Sequence, residues 1–152
     1  MKSVYAVLAI LGLAVSLMGM SHGGGIDHQK YAAGFNGFGD AMNAGNLDAL
    51  VAGFTEDAVR IHPLAGEVKG HDGQRAFLQS LIDGFRDQKL VVNRAGGHGN
   101  TVYIEWTWTA VHKESGKAVT LDELVWVEVA KDGRIQRMRQ YFDTAAFLKQ
   151  LE

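Results

Sequence analysis

The sequence predicts an α+β domain, with helices first and a meander of long antiparallel strands after them. Two observations carry this. Apolar residues recur every three or four positions from Tyr31 to Phe85, the period of a helix face. From Thr101 the period becomes two, in TVYIEWTWTAVH and then VTLDELVWVEVA, the period of a strand.

The elements follow in order. Tyr31, Phe35, Phe38 and Met42 mark one face of a helix over about 27–44. Gly34, Gly37 and Gly39 interrupt it. Each costs up to about 1 kcal/mol against alanine, so packing must hold this helix, or the glycines let something approach closely. Gly45 stops it, and Asn46 is a good N-cap for a second helix with Leu47, Leu50, Val51 and Phe54 inward. A short strand, Val59 to His62, precedes the lone proline, Pro63. A third helix spans about Asp72 to Phe85, and AGGHGN (95–100) reads as a glycine-rich turn. HKESGK turns between the two long strands. KDG (131–133) is a hairpin turn into RIQRMRQYF. Thr144 to Leu151 closes the chain as a short helix.

The 152 residues suffice for one domain, and 47% apolar content excludes general disorder. A net charge of −2 gives no sign of nucleic-acid binding. There is no cysteine, hence no disulfide, thiol nucleophile or thiolate metal site. The histidines show no close metal-ligand spacing, so no metal and no cofactor are expected. The N-terminus has Lys2, an uncharged apolar run from Val4 to Met20, then small residues at Gly19, Ser21 and Gly23. This is the order of a secretory signal, with cleavage expected after Ser21. Residues 1–21 are therefore read as a signal peptide, 22–30 as a flexible lead-in and 31–152 as the domain. A secreted or periplasmic protein is expected, free of the membrane after cleavage.

Two residues stand out as chemistry. One face of the second long strand carries Val119, Leu121, Glu123, Val125, Val127 and Val129. Glu123 is its single polar member, and a carboxylate there is costly unless it is paired, neutralised or solvated by a cavity. His62 ends a short strand where Pro63 holds the backbone extended. It titrates near neutral pH, as a general acid or base should. Arg60 shares the parity of His62 and is placed to hold an anion, though a surface salt bridge accounts for it more simply.

NAGNLDALVAGFTEDAVRIHP (43–63) and DGRIQRMRQYFD (132–143) resemble the SnoaL-like, ketosteroid isomerase-like group of the nuclear transport factor 2-like superfamily. The resemblance runs from about Tyr31 to Leu151. It implies a cone-shaped curved antiparallel sheet packed on N-terminal helices, with an apolar pocket open at one end and a dimer through the outer sheet face. It also implies where an isomerase would keep its machinery. The base position, before the proline of DAVRIHP, holds His62. The oxyanion tyrosine position, five residues before the asparagine of NAG, holds Phe38; the protonated-acid position, nine residues after Gly116, holds Val125. Both oxyanion donors are thus apolar here, which argues against a steroid isomerase of that kind.

The pocket is therefore expected to be lined by Phe38, Met42, Phe54, Trp106, Trp108, Leu121, Val125, Met138, Gln140 and Phe142. His62 and Glu123 are the candidate catalytic pair, the carboxylate orienting the imidazole. Gln140 is the inward-facing candidate for the missing donor; Tyr103 has the wrong parity. Two functions remain open. One is a cofactor-independent isomerase, cyclase or dehydratase acting on a small apolar or aromatic molecule. The other is a non-catalytic protein that binds such a molecule, or a dimeric interaction module. Tyr103, Thr107, Thr109, Trp126 and Tyr141 form the face expected to pair in a homodimer.

Overall fold

A computed structural model describes residues 25–152; the expected signal peptide lies outside the described residues. The elements are α1 (His28–Ala33), a 3-10 turn (Gly34–Gly37), α2 (Phe38–Asn43), α3 (Leu47–Ala52), β1 (Phe54–His62), β2 (Gly66–Lys69), α4 (Gly70–Gly84), β3 (Phe85–His98), β4 (Thr101–His112), β5 (Ala118–Val129), β6 (Ile135–Tyr141) and α5 (Thr144–Leu151). One six-stranded sheet has the order β2-β1-β6-β5-β4-β3. All neighbours are antiparallel except β1 and β6, which run parallel with Arg60 opposite Met138.

The alternation seen in the sequence becomes the two faces of this sheet. Val102, Ile104, Trp106, Trp108 and Ala110 of β4 are buried, as are Val119, Leu121, Val125, Val127 and Val129 of β5. The helices cover that face with Tyr31, Met42, Leu50, Val51 and Leu78. A fully buried leucine such as Leu78 contributes about 1.5–3 kcal/mol relative to exposure. Asn46 caps α3 as expected, accepting from the Ala49 amide at 3.4 Å.

Three expectations need correction. The helix over 27–44 is two α-helices joined by a 3-10 turn bounded by Gly34 and Gly37, where glycine gives the tightest turn little opposition. Phe54 does not end a helix. It opens β1, whose parallel pairing to Ile135 draws it into the sheet. The segment after α4 is a fourteen-residue strand, β3, and the stretch 95–98 belongs to it; only Gly99 and Asn100 turn.

Gly39 shows what one early glycine does. A Cβ there would lie 2.5 Å from the Gln88 carbonyl oxygen and 2.9 Å from the Lys89 Cα. One turn on, Asn43 donates from Nδ2 to the Gln88 carbonyl and accepts from the Gln88 amide, both at 2.8 Å. Here β3 bulges, with its register shifting between Arg86 and Lys89 and Asp87 at φ 54°. The helix thus docks directly on the bulge and satisfies its stranded backbone groups.

Candidate functional site

The sheet and helices enclose a cavity of about 530 Å³, within the range of small-molecule sites. Phe38, Phe54, Trp106, Trp108, Leu121, Met138, Gln140 and Phe142 line it, with His62 and Glu123. Two expected lining residues do not. Met42 and Val125 are packed in the core, 1% and 0% exposed, because the helices press against the sheet there and leave no space.

The polar groups form a chain across three strands and a helix. Gln140 on β6 donates from Nε2 to Glu123 Oε2 on β5 at 2.8 Å. Its Oε1 accepts from Arg60 Nη1 on β1 at 2.9 Å. Arg60 Nε donates to Gln74 Oε1 on α4 at 3.0 Å. Val125, not Glu123, stands directly opposite Gln140, so the contact is diagonal, a separation that long side chains span. All four residues are buried: Gln74 0%, Arg60 3%, Gln140 7%, Glu123 8% exposed. Arg60 also lies over the Phe54 and Phe77 rings, 5.2 and 4.4 Å from their centroids.

Arg60 is therefore not a surface salt bridge. It is a buried cation that forms no salt bridge among the described residues and whose two hydrogen-bond partners are neutral amides. Sequence reasoning underrated it, because the recognised strand, Val59 to His62, is too short to show which of its polar residues turns inward. Gln74 was missed, because a single glutamine on an amphipathic helix has no signature.

Burial sets the acidity of the site. It pushes the Glu123 carboxyl up, opposed by the Trp106 N–H, the Gln140 amide and the Arg60 charge. Trp106 stands directly opposite Glu123 in the sheet. Its Nε1–H is near enough to oppose the shift, yet it completes no hydrogen bond of normal geometry among the described residues. The neighbouring Trp108 differs, donating to Gln88 Oε1 at 3.3 Å. Burial also lowers Arg60 to about 10, with Glu123 pulling the other way; it stays cationic at neutral pH.

His62 is held away from its expected partnership. No hydrogen bond joins it to Glu123 among the described residues. Its Nδ1 accepts from the Leu64 and Ala65 amides at 3.3 and 3.2 Å, and its ring packs on Phe77 and Phe142 at 4.9 and 5.3 Å. Burial and then the Arg60 charge push its pKa down to about 4. At neutral pH the ring is uncharged, and the two amide donors leave its proton on Nε2. That leaves Nε2–H as the ring's donor, on a residue that lines the cavity.

The fold and site define a class: a cone-shaped α+β domain holding a buried acid and a buried cation on the wall of an apolar cavity, beside the Trp106 Nε1–H, which is unpartnered among the described residues. The family model of the SnoaL-like domain matches residues 35–138, and the chain belongs to that family. Three solved structures illustrate the frame. A hypothetical protein with a ketosteroid isomerase-like fold from Catenulispora acidiphila DSM 44928, in complex with trimethylamine, is 16% identical. It has a TM-score of 0.66 over 74% of this chain and 87% of that one. A protein from Jannaschia sp. CCS1 described as a SnoaL-like polyketide cyclase is 22% identical, with a TM-score of 0.66 over 76% and 85%. A LEH-like epoxide hydrolase of M. tuberculosis is 24% identical, with a TM-score of 0.61 over 75% and 83%. At these identities the likeness shows the fold alone. No curated protein matches the chain.

Proposed function

We propose that this protein binds a small apolar or aromatic carbonyl compound and moves a proton on it without a cofactor, as an isomerase, cyclase or dehydratase does. One observation carries the reading: Glu123 is a carboxyl raised by burial on the wall of an apolar cavity, its Oε2 held by the Gln140 amide. A carboxyl whose pKa rises toward the working pH is a better proton acceptor and donor than an ordinary one.

The ionised Glu123 takes a proton from the carbon beside the carbonyl and returns it at another position. The Trp106 Nε1–H, which has no hydrogen-bond partner among the described residues, donates to the carbonyl oxygen as charge develops on it. The neutral His62 orients the bound molecule through Nε2–H. The roles within the expected pair are thus divided: Glu123 carries the proton and His62 is a hydrogen-bond donor. The fold neighbours described as a polyketide cyclase and as an epoxide hydrolase support an enzymatic use of such a cavity.

The test is a screen of small aromatic ketones and enones for turnover by the wild type, E123Q and H62Q. E123Q keeps size and polarity and removes the titrating proton. We expect it to lower kcat by at least a hundredfold, consistent with loss of a general base, with little change in affinity for these neutral ketones and enones. H62Q should raise KM more than it lowers kcat. Full turnover in E123Q would end the catalytic reading and leave a binding protein.

We further propose that residues 1–21 are removed on export and that the protein acts outside the cytoplasm as a homodimer. Tyr103, Leu124 and Tyr141 are 48%, 45% and 49% exposed on the outer sheet face and line one groove with Trp126, an aromatic-rich surface suited to a second copy. Mass spectrometry of the exported protein, and sedimentation of wild type beside Y141E, test these two points.

A further inference from the structure

Resting on that reading of the cavity, we infer that its ligand carries a carboxylate, which binds Arg60. The guanidinium lines the cavity and is 3% exposed. Its recorded hydrogen bonds go from Nε to Gln74 Oε1 and from Nη1 to Gln140 Oε1. Nη2 makes none among the described residues, and both bonded acceptors are uncharged. Burying a cation is costly unless an anion compensates it. The one acid in the chain of contacts, Glu123, is separated from Arg60 by the Gln140 amide. Phe54 and Phe77 flank the guanidinium and keep it out of water. A charged, water-poor fork with a free end fits a carboxylate. The walls beyond it, Trp106, Leu121, Met138 and Phe142, fit an apolar or aromatic body. The substrate class is therefore a small carboxylic acid with an apolar body and a carbonyl that Glu123 can work beside.

The geometry also makes Glu123 a competitor. Its charge partly neutralises Arg60 through Gln140, so removing that charge should strengthen anion binding.

Calorimetry on the purified protein at pH 7 tests this with three pairs of probes: phenylacetate and phenylacetamide, 2-naphthoate and 2-naphthamide, cyclohexanecarboxylate and its amide. The wild type should bind at least one acid tenfold or more tightly than its amide. R60M should abolish that preference and keep amide binding, whereas E123Q should increase the preference severalfold. R60K retains the charge and should retain part of the preference, which keeps the test decisive if R60M fails to fold. Equal affinity for acids and amides across the panel, or no acid binding at all, overturns the inference, as does an unchanged preference in R60M. These outcomes are separable from the catalytic reading. E123Q that binds acids more tightly and still turns substrate over would sink the catalytic role of Glu123 and leave the carboxylate site standing.

Discussion

At the scale of single residues, the site is governed by who satisfies whom. Gln140 occupies the pivotal place, donating to Glu123 and accepting from Arg60. Q140L would leave Arg60 Nη1 without its acceptor and Glu123 Oε2 without its donor. We expect a loss of about 2–4 kcal/mol in denaturant-monitored stability, since a buried polar group left unpaired costs about 1–3 kcal/mol. His62 yields a prediction in pH. Its imidazole titrates near 6.5 when unfolded and near 4 when folded, so between these values the unfolded chain binds more protons. The stability conferred by the neutral ring is complete above pH 6.5 and is lost as the pH falls toward 4. Glu123 works in the opposite sense: its folded pKa is raised, so its contribution is full below its ordinary 4.5 and is lost as the pH rises through the folded value. Thermal melts of H62Q should therefore show a smaller fall in Tm than the wild type between pH 6.5 and 4, and equal slopes would contradict the account. Glu123 was legible in the sequence because one polar residue broke an apolar row. Arg60 and Gln74 were not, since neither the short stretch of β1 that was recognised nor the face of α4 shows which polar residue turns inward.

At the scale of elements, α2 and β3 are built for each other. Gly39 admits the Gln88 backbone and Asn43 pairs with it on both sides. G39A should cost about 1–3 kcal/mol through overpacking against rigid backbone. N43A should cost about as much by stranding the bulge's amide and carbonyl. Urea denaturation checks both, and a change below about 0.5 kcal/mol in either would show that the docking is not tight. The glycines of the first helix could be read as places of close approach, but not what approaches, because β3 itself was hidden. Its residues Arg86, Asp87, Lys89, Arg94 and His98 are charged or polar, it lies at the sheet edge, and register shifts at two places break its alternation. A strand with most side chains in water and a broken period leaves no pattern to count. β4, β5 and α5 alternate or repeat cleanly and were legible nearly to the residue.

At the scale of the whole molecule, the resemblance carried what periodicity cannot. The parallel pairing of β1 with β6 joins segments some eighty residues apart, and nothing local in either segment announces it. That pairing brings Arg60 beside Gln140 and so creates the site. The family frame supplied the cavity in outline, and the side chains that depart from it, Phe38 and Val125 at the two former donor positions, made clear that the chemistry had to be found elsewhere. The structure offers the Glu123, Trp106 and Arg60 wall in their place, with His62 as a neutral neighbour.

The central claim is that burial raises the Glu123 carboxyl above its ordinary range inside the cavity. Carbon-13 NMR titration of the glutamate side-chain carboxyl resonances, with Glu123 assigned by its absence in E123Q, measures this directly. The account predicts a Glu123 midpoint clearly above the ordinary 4.5. A midpoint at or below that value would mean that Arg60 and Gln140 hold it as a plain structural carboxylate, and the proton-transfer role would be contradicted.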